Sequence, residues 1–318
     1  MDALRAQSTP RPDATTLSAF GGFVLIGGSN FVAVRFSNAE LPPFWGASTR
    51  FAVACLLFLV VVMGRRIGLP RGKALVGATL FGILNFGLFY AFVYYALVYV
   101  QAGLAAVILG LTPLATFFLA VLQRLEAFQW RGVAGAALAV CGVGVVFWEQ
   151  LDAAVPPLAL IALLGGALCA AQAGIVVKRF PPVNPWAMNA VGMAVGAAII
   201  YILSELTGEV HVIPVLRETW IAFAYLTTIG AVVLFLLVLF VLRRWTASAT
   251  SYAFVLFPVV ATAMGAGLSG ETVTVVFVLG SALVLAGVYF GALVRPAPKP
   301  VSVAGAEATA PEVKPPGV

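Results

Sequence analysis

The side chains in this chain that could do chemistry are few, mostly neutral, and set inside long apolar runs. There is one histidine, His211, and three cysteines, Cys55, Cys141 and Cys169. A single imidazole builds neither a Ser-His-Asp relay nor a histidine metal site. The cysteines stand alone in apolar surroundings, as small buried residues do, with no metal spacing between them. No G-x-x-x-x-G-K-[ST] loop is present, so no nucleotide-driven motor of that kind is expected. The reading is therefore neither an enzyme nor a cofactor protein.

What remains is hydrogen bonding in an apolar setting. Asn30 follows Ser29 in the first apolar run, and Gln172 sits in the sixth among Ala170, Ala171, Ala173 and Gly174. An amide donates and accepts at once, as a zwitterion or another amide requires of its host. Tyr90 and Tyr94 are four residues apart and share a helix face; Asn85 precedes them. Tyr252, beside Ser251, and Tyr225 are comparable. A tyrosine ring offers an apolar wall and a hydroxyl that seeks a partner. Each group has a plainer role as well: the amides as glue between helices, the rings as packing. Arg50 lies about two turns into its run, where snorkelling to the nearer surface is expected and a substrate-carboxylate anchor is the alternative. Pro113 and Pro258 read as mid-helix prolines that each remove a backbone hydrogen bond. They are static kinks or gating points.

These residues must be positioned by helices in lipid. The 318-residue chain is 62% hydrophobic and 9% charged, with mean hydropathy +1.06. A soluble domain averages roughly a quarter charged residues. A membrane helix needs about 20 apolar residues. Ten runs qualify: 17–36, 43–63, 74–97, 100–122, 131–148, 157–177, 185–204, 219–242, 245–268 and 272–294. The first is long and follows a polar tail, so it reads as a span and not as a cleavable leader. The net charge of +6 is spread over the short gaps between runs, which argues against nucleic acid as a partner. Arg5 and Arg11, then Arg65, Arg66, Arg71 and Lys73, then Arg124 and Arg131, Lys178 and Arg179, Arg243 and Arg244, and finally Arg295, Lys299 and Lys314 all fall at one set of ends. The other set has Arg35, Arg50 and Arg217 against seven acids, among them Glu149, Asp152 and Glu209. Cytoplasmic loops retain Lys and Arg, so both termini are expected in the cytoplasm, with 37–42, 149–156 and 205–218 outside.

The chain also repeats itself. Residues 95–143 match 240–288 at a constant offset of 145: Pro113 falls on Pro258, Glu126 on Glu271, Gly135 on Gly280 and Gly142-Val143 on Gly287-Val288. Pro43-Phe44-Trp45 matches Asn184-Pro185-Trp186 less closely, at offset 141. With five spans per unit, the second unit enters the membrane upside down, placing Glu126 and Glu271 at opposite faces. The division is a tail at 1–16, a five-helix repeat at 17–150, an inverted five-helix repeat at 151–294, and a tail at 295–318. The fold class is an all-α membrane protein.

The run Tyr95-Ala96-Leu97, the small residues from Ala102 to Ala106, Pro113, and Glu126 before the glycine-rich span 132–147 resemble the EamA repeat of the drug/metabolite transporter superfamily. Ala247 through Pro258, Glu271 and Gly287 resemble it again. Within that superfamily the chain looks most like YddG-type amino-acid exporters. The resemblance implies a monomeric basket of ten helices in the cell membrane, exporting amino acids by alternating access through a central cavity. Small multidrug exporters of the superfamily carry a carboxylate deep in the first helix. Here Ser29 and Asn30 stand at that depth, and no Asp or Glu occupies a span centre, so no proton carrier is expected. The expected cavity residues are Asn30, Tyr90, Tyr94, Gln172 and Tyr252, with Pro113 and Pro258 gating. Other metabolites or drugs as cargo, or a non-transporting membrane subunit, are the alternatives.

Overall fold

The computed structural model describes residues 13–97, 99, 105, 108–146, 156–269 and 275–293. Residues 1–12 and 294–318, Gln101 to Leu104, residues 149–155 with Glu149 and Asp152, and Glu271 lie outside the described residues. Every described element is helical, as lipid demands of a backbone that must satisfy its own hydrogen bonds. In chain order, α1 is Ala14–Ser37, α2 Pro43–Gly64, α3 Lys73–Leu97, α4 Thr112–Leu122 and α5 Trp130–Val146. The second half follows with α6 Pro157–Arg179, α7 Pro185–Thr207 and α8 Arg217–Arg244. α9 comes in two pieces, Ala247–Ser251 and Ala253–Ser269, and α10 is Val275–Val288 continued by the π-turn Tyr289–Leu293. Six of these helices are long and apolar enough to cross a membrane, and four are shorter apolar helices.

Local chemistry marks the ends. Pro43, Pro157 and Pro185 open their helices in the first turn, where a missing N–H costs nothing. The Asn184 side chain accepts the Trp186 N–H at 3.0 Å, and Thr246 accepts that of Ala249 at 3.1 Å. Gly208, at φ 70°, closes α7 in the left-handed conformation.

The helix contacts obey an exchange rule. Where α1 packs on α8 and α9, its counterpart α6 packs on α3 and α4; α2 packs on α7, α4 on α9 and α5 on α10. Swapping each helix for the one five later returns the same pairs, which is the contact signature of a two-fold repeat. The backbone carries it too. α3 contains a π-turn at Gly82–Leu88 and α8 contains one at Thr228–Val233, matching at the offset of 145. Backbones meet closely at α5–α10: a Cβ on Gly135 would stand 2.6 Å from Gly291 N, and one on Gly142 2.6 Å from Val284 N. Small residues allow such approach, and in lipid this packing replaces the hydrophobic drive. Leu25, Leu56, Val60, Ile161 and Leu279 are exposed on the outside of the bundle, an apolar surface suited to acyl chains.

Candidate functional site

Between the halves lies a cavity of about 150 Å³, room for roughly ten water-sized groups. Its walls come from α1, α3 and α4, from their counterparts α6, α8 and α9, and from one residue of α2. Most of the lining is aromatic or aliphatic. Tyr90 and Tyr94 lie 5.9 Å apart, Phe89 joins Phe254 at 5.9 Å and Tyr90 at 5.1 Å, and behind the wall the buried Phe51 ring meets Tyr90 edge to face at 4.8 Å.

Asn30, Tyr90 and Tyr94 line this cavity, as does Pro258. The Asn30 Nδ2 donates to the Gly230 carbonyl at 3.0 Å, within the π-turn of α8. Switching between α and π hydrogen bonding frees carbonyls, and π-turns gather at functional positions for that reason. The bond also fixes the amide's orientation, since only the NH₂ can face a carbonyl. Asn30 Oδ1 lies against the Gly230 α-carbon and is buried without a hydrogen-bond partner.

Gln172 and Tyr252 are placed otherwise. Gln172 accepts from Gln123 Nε2 at 2.8 Å and is not among the cavity-lining residues. The bond joins α6 to the end of α4. Tyr252 is 2% exposed, and its hydroxyl donates to the Gly132 carbonyl at 3.0 Å. It ties the joint of α9 to the start of α5, while its neighbours Thr250 and Ser251 face the cavity. Pro113 is the second residue of α4, directly after a turn at Gly110 and Leu111, so there it removes no helical bond. Pro258 does lie within its helix.

The amide Asn85 occupies the first half's π-turn at the place Gly230 holds in the second. Asn85 lines the cavity, and its Nδ2 is buried with no partner. The pseudo-symmetry breaks here, on the polar side of the site.

Arg50 does not snorkel. It is 4% exposed and lines the cavity, its guanidinium carbon 4.7 Å from the Phe51 ring centroid and 5.1 Å from that of Tyr90. Stacking on ring faces compensates part of the lost hydration. Depth from the end of the run pointed to the surface; the inward azimuth of α2 decides otherwise. The lining threonines, Thr116 and Thr250, and the phenylalanine wall gave no separate signal in the sequence, because apolar residues are everywhere in such a chain.

Each end of the cavity is tied across the halves. At the end where α2 begins, Glu209 accepts the Phe44 N–H at 3.0 Å, the Trp45 N–H at 2.7 Å and the Ser204 hydroxyl at 2.8 Å. Trp45 Nε1 donates to the Val212 carbonyl at 2.8 Å, and its ring stacks on His211 at 4.2 Å. Glu40 accepts the Val215 and Leu216 N–H groups at 3.1 and 3.0 Å. The 208–216 loop is thus pinned over the α1–α2 corner, with Phe44 resting 6.3 Å from Tyr94. At the opposite end Glu126, between α4 and α5, accepts the Ser248 N–H at 3.1 Å at the start of α9. Burial pushes the Glu126 carboxyl above its ordinary range, opposed by the Ser248 hydrogen bonds and the Lys178 charge.

Comparison with known proteins is consistent with this architecture. The profile of the EamA-like transporter family matches residues 16–148 and again 157–292. The "Uncharacterized inner membrane transporter YedA" of Escherichia coli (strain K12) is 29% identical over 79% of this chain and 81% of its own length. An "Uncharacterized transporter" of Archaeoglobus fulgidus is 27% identical over 82% of this chain and 93% of its own. A solved crystal structure covering 89% of this chain and 98% of its own superposes with a TM-score of 0.76 at 18% identity, a likeness of fold.

Proposed function

This chain belongs to the EamA-like transporter family of membrane transporters, and from that premise we propose that its cargo is neutral amino acids, aromatic ones included, exported through the central cavity by alternating access. One observation carries the reading: an aromatic cavity holds a buried, unpartnered amide oxygen on Asn30 and an unpartnered amide N–H on Asn85. A zwitterion brings one acceptor and one donor group, and needs one of each in return. Asn30 Oδ1 receives the ammonium, helped by the faces of Tyr90 and Tyr94. Asn85 donates to the carboxylate, and the rings accept the side chain. The cavity's size suits a molecule of about a dozen non-hydrogen atoms, the class of phenylalanine.

The Lys and Arg asymmetry supports both termini in the cytoplasm. That puts the ties of Glu209, Trp45 and Glu40 outside and the Glu126 contact inside, as the two gates. No Asp or Glu lines the cavity among the described residues, so transport runs down the cargo's own gradient without a proton gradient. The test is counterflow of labelled phenylalanine in proteoliposomes at equal inside and outside pH with an uncoupler. Saturable exchange that Asn30→Leu abolishes is expected. No exchange of any neutral amino acid, alongside exchange of another metabolite, refutes the cargo. Accumulation that needs an imposed pH difference refutes the coupling.

A further inference from the structure

We infer that Arg50 is the anchor for a carboxylate on the cargo, so that this site requires the carboxylate and does not require the ammonium. The inference rests on the transport reading and refines its substrate class. The guanidinium keeps its charge wherever it is placed, and at 4% exposure it has little water. No carboxylate pairs with it among the described residues, and its Nε has no hydrogen-bond partner. A buried charge left so is costly unless something else completes it. The rings of Phe51 and Tyr90 cover one side of the guanidinium, and the residue borders the cavity.

The fold itself does not ask for this arginine. α2 and α7 are repeat counterparts, and at their offset of 141 the position of Arg50 is held by Val191. No residue of α7 borders the cavity, whereas α2 contributes Arg50 alone. A charge supplied by one half only, which the packing of the other half does without, is free to serve the cargo. Its planar fork presents paired N–H groups that fit a carboxylate. Asn85 also lines the cavity, and its Nδ2 has no partner.

Charge balance then ranks the ligands. The cavity holds one fixed cation and, among the described residues, no fixed anion. A monocarboxylate neutralises it, a zwitterion brings its own compensation, and an amine adds a second positive charge that repels the first. Three probes share one skeleton: 3-phenylpropionate, L-phenylalanine and 2-phenylethylamine. Binding of each to the purified full chain in nanodiscs is measured by calorimetry for the wild type, Arg50→Lys and Arg50→Gln.

Both carboxylates are expected to bind the wild type and the amine not to bind. Arg50→Lys, which keeps the charge but loses the fork, weakens the carboxylates by about tenfold, and Arg50→Gln by about 100-fold. The inference is overturned if the amine binds the wild type as tightly as the carboxylates, or if a folded Arg50→Gln binds carboxylates within about threefold of wild type. The first comparison uses wild type only, so it stands even if Arg50→Gln fails to fold. Arg50-dependent binding of 3-phenylpropionate without any binding of phenylalanine refutes the amino-acid cargo and supports the anchor. Phenylalanine binding that ignores Arg50 does the reverse.

Discussion

Glu209→Ala is expected to release the first turn of α2. Pro43 opens that helix without an N–H, and the Gly46 N–H already bonds the Pro42 carbonyl at 2.8 Å. Of the first-turn donors, Phe44 and Trp45 are left, and the Glu209 carboxylate takes both, one on each oxygen. First-turn donors have no acceptor within their own helix, so their protection comes from this side chain. Hydrogen bonds to a charged group contribute about 1.5–3 kcal/mol each, and the helix dipole adds to them. Glu209 is half-buried, so the low end applies. Two such bonds give about 3 kcal/mol, a factor of roughly 100 in the local opening equilibrium. Ser204 loses its acceptor too, but it can bond back to its own helix. Hydrogen exchange of the protein in nanodiscs reads this directly. The Phe44 and Trp45 amides should exchange on the order of 100-fold faster in Glu209→Ala, with the amides of α5 and α10 unchanged. Exchange within about threefold of wild type would show that the carboxylate does not hold the corner, and the gate assigned to it would fall with it.

Three further expectations follow from single contacts. A Cβ at Gly230 would overlap the Asn30 amide, so Gly230→Ala should cut counterflow by about tenfold while leaving the melting temperature close to wild type; unchanged counterflow would remove Asn30 from the site. Gln172→Leu orphans Gln123 outside the cavity, so it should cost about 1 kcal/mol of stability and leave substrate affinity unaltered; a lost affinity would return Gln172 to the site. Glu126 has its folded pKa raised above the ordinary 4.5 by burial, so the native state binds the proton more tightly than the unfolded chain. Stability is then full below that value and falls as pH rises through the raised folded pKa. Glu126→Gln should flatten this fall in melting temperature, and parallel curves for the two proteins would refute it.

Much of the architecture was legible in the sequence because lipid makes strong demands. Long uncharged runs can only be spans, and the offset of 145 between the copies of Pro113 and Glu126 implies paired halves. The structure bears out the ten-helix, two-repeat fold, and the family profile matches both halves. The runs also put Asn30, Arg50 and Tyr90 inside helices, where the structure has them.

What the sequence could not decide was azimuth. In water, the apolar stripe of a helix reveals which face looks inward. In lipid both the core and the outside are apolar, so that periodic signal fades. Asn30 and Gln172 looked equivalent, yet only tertiary packing sends one to the Gly230 carbonyl at the cavity and the other to Gln123. The same blindness hid the inward turn of Arg50 and the tie from Tyr252 to Gly132. Sequence alone determined that ten apolar helices form two paired halves. The rotation of each helix, set by glycine contacts and π-turns between residues far apart in the chain, determined which polar groups the interior contains.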